Sequence, residues 1–148
     1  MAIVRAVSRL STRKHADMKV LKLFVKQRVA ATSVMVGRRS LKLQRGYGIE
    51  GDANAAVGSP RQMLLVDQPA LDAFHLQPGD LWENILVDGS VASLRSGDVL
   101  EIGRAGLRIT LNCEPCSKLE GKRRGLLGQI GNQRGILGMV IKSGEITI

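Results

Sequence analysis

Two cysteines, three positions apart, are the residues with the clearest capacity for chemistry in this sequence. Cys113 and Cys116 lie in the segment Leu111–Leu119, which reads LNCEPCSKL. A C-x-x-C pair can be a redox dithiol, but such pairs usually accompany a thioredoxin-like βαβ pattern that is not predicted here. A zinc site needs four ligands, and only the distant His15 and His75 could complete it. The thiols could instead simply pack in a core, or a thiolate on a loop could carry sulfur or bind a soft metal.

Basic residues surround the second cysteine in the sequence. Lys118, Lys122, Arg123 and Arg124 all follow Cys116 within eight positions. A neighbouring cation stabilises the charged form of a thiol and lowers its pKa, provided that the two groups are close in space. The segment therefore favours a reactive thiolate if the fold brings these cations to the sulfur.

Two other segments have residue types that could form a site. Residues 46–55 read GYGIEGDANA, and glycines at this density indicate tight turns or close approach of a ligand to the backbone. Backbone amides of such a loop can bind an anion, although Glu50 and Asp52 disfavour direct phosphate contact. Residues 78–85 read PGDLWENI and place Asp80 close to Glu83, a pair that could do acid–base work or simply cap turns. The sequence has no Walker loop and no HExxH helix.

The charge is distributed unevenly along the chain. Residues 1–45 have 12 basic residues and one acid, residues 46–101 have a net charge of −7, and residues 102–148 have +5, giving +9 in all. A basic block can attract nucleic acid, an anionic membrane or a phosphorylated ligand, or can be a solvated face. Only Phe24 and Tyr47 could offer stacking surfaces there, so single-strand binding is disfavoured. A non-catalytic basic barrel that binds nucleic acid or a partner protein is the alternative function.

Length and composition favour one domain over residues 1–148, with the basic residues 1–45 expected to be partly loosely ordered. The chain has 148 residues, of which 44% are hydrophobic and 24% charged, which is typical of globular proteins. No apolar run reaches 18 residues, so no transmembrane helix is predicted. Residues 1–15 contain arginine and serine without acids, which is compatible with a targeting segment. The default expectation is nevertheless the cytoplasm, where thiols stay reduced.

Short apolar runs separated by glycine predict a mainly β protein, a closed or partly closed barrel with a few short helices. Asp67 is expected to cap a helix over residues 67–74, with Pro69 in the first turn. Residues 18–29 fit either a helix or a strand, and Gly121–Gly135 fits a loop or a broken helix. The predicted strands are 33–36 paired with 41–43, 61–66, 84–88, a hairpin of 99–102 with 106–111, and a second hairpin of 136–142 with 145–148.

From about Gly46 to Ile148, the order and spacing of these motifs resemble the MOSC domain, which also forms the C-terminal part of molybdenum cofactor sulfurases. The motifs are GIEGDANA, SPRQMLLVD, LQPGDLWENILVDG, LRSGDVLEIG, CEPCSKL and RGILGMVIKSGEI. The resemblance implies a β-barrel with a few short helices. It also implies a cysteine that carries sulfur or binds molybdenum in the molybdopterin cofactor. The cysteine before Lys-Leu matches Cys116, and Cys113 is the lesser candidate.

The resemblance also implies further site residues near the cysteine and the cofactor. They are Gly48, Glu50, Gly51, Asp52, Arg61, Gln62, Glu83 and Asn84. Arg61, Lys118, Arg123 and Arg124 are candidates for binding the cofactor's phosphate by charge and forked hydrogen bonds. The family often has histidine where this chain has Asn54, and asparagine does not titrate near neutral pH.

The functional hypothesis is therefore a standalone MOSC protein that binds molybdenum cofactor, carries sulfur as a cysteine persulfide, or does both. Its expected partners are the molybdopterin-type cofactor or a sulfur donor protein. The expected activity is that of a sulfurtransferase or a molybdenum cofactor-dependent oxidoreductase. Full-length sulfurases bind pyridoxal phosphate in a separate aminotransferase-like domain. No pyridoxal phosphate is expected in this chain itself.

Overall fold

The computed structural model describes residues 2–7 and 16–148. Of residues 1–15, on which the targeting hypothesis rests, the structure describes only residues 2–7. His15, which the zinc alternative would need, lies outside the described residues. The strands are β1 Ile3–Ala6, β2 Met18–Val29, β3 Thr32–Arg38, β4 Ser40–Gln44, β5 Gly48–Ile49, β6 Met63–Asp67, β7 Ile85–Val87, β8 Val99–Ile102, β9 Ala105–Asn112, β10 Ile136–Lys142 and β11 Gly144–Thr147. The helices are α1 Gln68–Ala73, α2 Lys118–Lys122 and α3 Leu126–Ile130.

Seven strands close a β-barrel. They follow the order β1-β8-β9-β10-β6-β7-β2, and β2 pairs with β1 to complete the ring. The pair β6–β7 is parallel, and the chain between these two strands includes α1. Strand β3 extends the sheet beyond β2, while β11, β4 and β5 form a separate small sheet. The predicted mainly β barrel with a few short helices is confirmed.

Two apolar clusters lie on opposite sides of β6, and every residue of this strand is buried. Met63 and Leu65 belong to the larger cluster, while Leu64 and Val66 pack in a second cluster with Leu119 and other residues of the helices. A strand covered on both faces has a continuous apolar sequence, which explains the run MLLV. No helix among the described residues is long and apolar enough to cross a membrane.

Several local predictions are confirmed. The β8–β9 hairpin forms with Ile102 opposite Ala105. Residues 18–29, for which the sequence left helix and strand open, form a strand. The Asp67 carboxylate accepts a hydrogen bond from the Ala70 amide at 2.8 Å and caps α1, as predicted. The segment Gly121–Gly135 contains the end of α2 and all of α3, so the broken-helix alternative applies.

Two predicted strand pairings were wrong. Strand β3 pairs with β2 rather than with β4, and β10 pairs with β9 and β6 rather than with β11. Strand β4 pairs instead with β11. A single residue separates the two strands in each case, Arg39 and Ser143 respectively, whereas the commonest tight hairpin has a two-residue turn. The chain therefore turns a corner at each of these residues and enters the small sheet.

Candidate functional site

A cavity of about 400 Å³ lies beside the end of β9 and contains both cysteines in its lining. Its walls come from strands β2, β6 and β10, the loop before β6, the segment between α1 and β7, the loop after β9, the start of α2 and the segment before β10. The lining residues are Lys26, Asn54, Arg61, Leu64, Trp82, Cys113, Glu114, Pro115, Cys116, Lys118, Arg134 and Leu137. Four of them are cations and one is a carboxylate, so the cavity favours an anionic ligand. We call this cavity the cysteine pocket.

The two thiols differ in accessibility. Cys113 is 5% exposed, and its backbone amide donates a hydrogen bond to the Gly135 carbonyl at 3.0 Å. Burial raises the pKa of the Cys113 thiol, although the nearby Arg134 opposes this effect. Cys116 is half-buried, and its carbonyl accepts a hydrogen bond from the Leu119 amide at 3.0 Å in the turn that begins α2. Cys116 is therefore the more accessible of the two thiols.

Arg134 is held on several sides within the pocket wall. Its Nη1 donates hydrogen bonds to Cys113 Sγ and to the Glu114 carbonyl, each at 3.0 Å. Its guanidinium carbon lies 5.6 Å from the centre of the Trp82 ring, and Lys122 Nζ lies 5.1 Å from the same centre. The buried Nε of Arg134 has no hydrogen-bond partner among the described residues. Buried donors without a partner are rare in folded proteins.

The pKa of Lys26 reflects the concentration of positive charge in the pocket. Burial lowers the pKa of Lys26, and the neighbouring cations Lys118 and Arg134 lower it further, while Asp52 opposes them. An anion bound among these cations would relieve their mutual repulsion. The charge of the pocket is therefore favourable to an anionic group.

The predicted residues Asp52 and Asn84 do not line the cavity but form hydrogen bonds to the backbone of residues that do. Asp52 Oδ1 accepts hydrogen bonds from the Lys26 amide at 2.6 Å and from Asn84 Nδ2 at 2.9 Å. Its Oδ2 accepts one from the Asn54 amide at 2.9 Å. Asn84 Oδ1 accepts one from the Leu64 amide at 3.0 Å. This network fixes the three lining residues Lys26, Asn54 and Leu64 relative to one another.

Gly48 and Gln62 are structural neighbours of the pocket. A side chain at Gly48 would meet Gln62 Cβ at 3.2 Å, and the backbone φ there is +125°, so only glycine fits without strain. Gln62 is buried and connects a loop to β10, donating to the Ala56 carbonyl at 3.2 Å and accepting from the Val140 amide at 2.9 Å. Neither residue lines the cavity.

The other predicted residues lie at different places. Glu50 is exposed, and Gly51 borders a shallow depression beside Lys26 and Asp52. Glu83 is fully buried, accepts a hydrogen bond from the Gly79 amide through Oε1, and has no partner at Oε2 among the described residues. Burial raises the pKa of Glu83 to about 7.

The pocket thus brings together four of the predicted residues, Cys113, Cys116, Arg61 and Lys118. Arg123 and Arg124 are absent from its lining. Arg123 Nη1 donates to the Phe74 carbonyl at 2.5 Å, and Arg124 is exposed. The sequence placed Arg123 and Arg124 near the thiol because both follow Cys116 closely in the chain. The turn after α2 instead directs the Arg123 side chain toward the end of α1.

Sequence reasoning missed Lys26 and Arg134 as site residues. Arg134 stands in the RGILG motif, which was a detectable signal, but Lys26 reaches the pocket only through the pairing of β2 with β7. For the zinc alternative, no group of three or more His, Cys, Asp or Glu side chains in residues 2–7 and 16–148 is placed to hold a metal ion.

Fold and pocket together define a small β-barrel protein with a cationic cavity lined by two free thiols. The family model of the MOSC domain matches residues 52–147, about two-thirds of the sequence. The chain belongs to the MOSC domain family. No curated protein matches the chain.

Solved structures share this fold at low sequence identity. YiiM from Geobacillus stearothermophilus superposes with a TM-score of 0.68 at 17% identity, covering 88% of this chain and 71% of that chain. The YuaD protein from Bacillus subtilis superposes with a TM-score of 0.66 at 17% identity, covering 88% of this chain and 93% of that chain. YiiM from Escherichia coli superposes with a TM-score of 0.62 at 19% identity, covering 86% of this chain and 66% of that chain. Another match, described as a hypothetical protein, gives 0.67 at 20% identity, and this chain spans only 64% of its length.

Proposed function

We propose that this MOSC protein binds a molybdopterin-type cofactor in the cysteine pocket, with Cys116 as a ligand to molybdenum. The observation that supports this most is the placement of a half-buried thiol in one cavity with four cations. Thiolate sulfur suits a soft or sulfur-accepting metal. Lysine and arginine suit the phosphate group of the cofactor. The residues present therefore fit both ends of such a ligand.

The chain's own residues have distinct tasks in this proposal. Cys116 would hold the metal, while Arg61, Lys26 and Lys118 would attract the phosphate by charge. The Asp52–Asn84 network would keep Lys26 and Asn54 in place, because its hydrogen bonds join their backbone segments. Molybdenum, when bound, supplies redox chemistry that no side chain here provides, so the expected activity is that of an oxidoreductase.

The test is the molybdenum content of protein purified without oxygen from cofactor-producing cells. We expect close to one metal per chain in the wild type, measured by elemental mass spectrometry, and a loss of most of it in Cys116→Ala. Ser117→Ala is the matched control, since Ser117 is adjacent and exposed and its side chain makes no capping hydrogen bond. Equal molybdenum in wild type and Cys116→Ala would refute the ligand role.

Sulfur transport is the second candidate function, and the accessibility of Cys116 favours it. In this reaction the Cys116 thiolate attacks the outer sulfur of a donor persulfide R–S–SH. The products are Cys116–S–SH and the donor thiolate R–S⁻. We expect Cys116, but not Cys113, to gain one sulfur atom when metal-free protein is incubated with a low-molecular-weight persulfide. Peptide mass spectrometry under non-reducing conditions measures this, and a gain at Cys113 alone would contradict it.

Binding of nucleic acid or a partner protein by the basic residues 1–45 stays a prediction. Within this segment, residues 18–44 contribute strands β2, β3 and β4. A steep fall in affinity with rising salt would be expected of a nucleic-acid complex.

A further inference from the structure

Strand β3, Thr32–Arg38, is the outermost strand of the eight-stranded sheet and has one unpaired edge. All seven of its residues pair with β2, without a register shift. On its other side, no strand of the described residues pairs with it. The backbone N–H and C=O groups of such an edge are available to another extended chain.

The hydrogen bonds of β2 show which backbone groups of β3 face outward. The Lys26 amide donates to Asp52 Oδ1 at 2.6 Å, and the Lys26 carbonyl accepts from the Ala53 amide at 2.8 Å. These groups point away from β3, so those of Met35, which lies opposite Lys26, point outward as well. Alternation along the strand gives three residues with outward groups, Ser33, Met35 and Gly37. Of these groups, only the Gly37 carbonyl has a partner in the described part of the chain, Arg38 Nη1 at 3.3 Å.

The edge lacks the features by which natural sheets usually block it. Residues 30–37 read AATSVMVG, with no charge and no proline, and the pairing with β2 has no bulge. Val34 is 43% exposed. Charges, proline and bulges are the common means of preventing an edge strand from pairing with another chain. A regular and largely apolar edge without them is suited to strand addition.

The charge around this edge selects its occupant. Residues 18–49 contain eight basic residues and no acid. Arg28 on β2 and Arg38 and Arg39 at the end of β3 are exposed, and no described carboxylate forms an ion pair with them. A second copy of this chain would bring the same cations to the interface, and like charges repel. An acidic segment would be attracted instead.

We propose that the outer edge of β3 is a docking site for an extended, acidic segment of a partner protein, which adds a strand to the sheet. The backbone of that segment bonds to Ser33, Met35 and Gly37. Its acidic side chains meet Arg38 and Arg28, and Arg28 lies only two strand spacings, about 10 Å, from the added strand. The proposal does not depend on what the cysteine pocket binds.

The docking site is next to the cysteine pocket. Lys26 lines this pocket and lies opposite Met35 in the β2–β3 pairing. The added strand therefore runs about 10 Å from the backbone of a pocket residue. A partner bound at β3 is in a position to reach the pocket with neighbouring parts of its own structure.

The first experiment measures binding of a fluorescent peptide to the full-length protein by anisotropy. The peptide is as long as β3 and alternates glutamate with valine. We expect saturable binding that weakens as the salt concentration rises. The same peptide with every backbone nitrogen methylated should not bind, because it cannot form the ladder hydrogen bonds. A matched peptide with lysine in place of glutamate should not bind either.

Proline variants test the backbone edge. Met35→Pro removes an outward N–H and no hydrogen bond to β2, so the β2–β3 pairing should persist. We expect the peptide affinity to fall by about tenfold or more. Met35→Leu, which keeps the N–H and a similar volume, is the control and should bind within about twofold of the wild type. Ser33→Pro removes a second outward N–H and should also weaken binding.

Glutamine variants test the charge. Arg28→Gln combined with Arg38→Gln should weaken peptide binding several-fold and reduce its dependence on salt. Arg104→Gln is the control, because Arg104 is an exposed arginine in the turn between β8 and β9. It should bind the peptide as the wild type does.

Equal binding of the methylated and unmethylated peptides would overturn the proposal, and this comparison uses the unmutated protein, so it holds even if a proline variant does not fold by circular dichroism. Equal binding of the lysine peptide would overturn the acidic partner. A wild-type dimer in sedimentation that Met35→Pro dissociates, without peptide binding, would assign the edge to a second copy and overturn the proposal. Binding of an oligonucleotide but not of the peptide would overturn it as well. Edge-dependent peptide binding by a protein that never holds molybdenum would support this inference while the proposed cofactor function fails.

Discussion

Glu83 gives the sharpest prediction for stability, because it is a fully buried carboxyl group with one oxygen that has no partner in the described part of the chain. Burial raises its pKa to about 7, with a smaller contribution from Asp80, while the Gly79 amide opposes the rise. The unfolded chain would titrate at about 4.5. At 1.36 kcal/mol per pKa unit, the difference corresponds to about 3 kcal/mol.

The direction of the pH dependence follows from the difference in proton binding between the folded and unfolded states. The folded state binds the Glu83 proton more tightly than the unfolded state does, so the stabilisation is fully present below pH 4.5. It is lost as the pH rises from about 4.5 to about 7. Glu83→Gln imitates the protonated carboxyl and removes this dependence. We expect the variant to match the wild type near pH 4 and to exceed it by about 3 kcal/mol near pH 8.

The assay is urea unfolding of both proteins at several pH values and one ionic strength, followed by circular dichroism. The informative quantity is the difference between the two free energies of unfolding, because other titrating groups cancel in it. Glu145→Gln, at an exposed glutamate on β11, controls for the simple loss of a surface carboxylate. A difference between Glu83→Gln and wild type that is constant with pH would refute the reasoning.

Three further predictions concern the pocket and its supports. Gly135→Ala should lose about 2 kcal/mol or more of unfolding free energy in urea, since φ is +121° and a Cβ would lie 2.7 Å from the Leu65 carbonyl oxygen. A loss below about 0.5 kcal/mol would contradict this close approach of the two backbone segments. Asp67→Ala should lose roughly 2–3 kcal/mol in the same assay, because the carboxylate accepts from two backbone amides at 2.8 Å, and wild-type stability would contradict this. Iodoacetamide should modify Cys116 well before the buried Cys113, as measured by peptide mass spectrometry, and equal rates would show that the burial difference is absent in solution.

Features that depend on neighbouring residues could be predicted well. The Asp67 cap, the β8–β9 hairpin and the break between α2 and α3 all arise within a few residues, where side-chain type and glycine conformation decide the backbone. The order of short motifs from Gly46 onward was sufficient to indicate the family and the barrel, both of which are confirmed. The choice of Cys116 over Cys113 rests on the same motif order, through its position before Lys-Leu, and stays a prediction.

The partners of each residue across the fold depended on tertiary structure. Arg123 is close to Cys116 in the sequence and yet contacts the end of α1, whereas Lys26 is 90 positions away and lines the same cavity. The sequence by itself determined most of the strands and the α1 cap, because alternation, capping and turn chemistry are local, and the family resemblance indicated Cys116 as the candidate ligand. The closure of β2 onto β1 and β7 decided which cations meet the thiols, because strand pairing joins segments whose separation in the chain has no local signal.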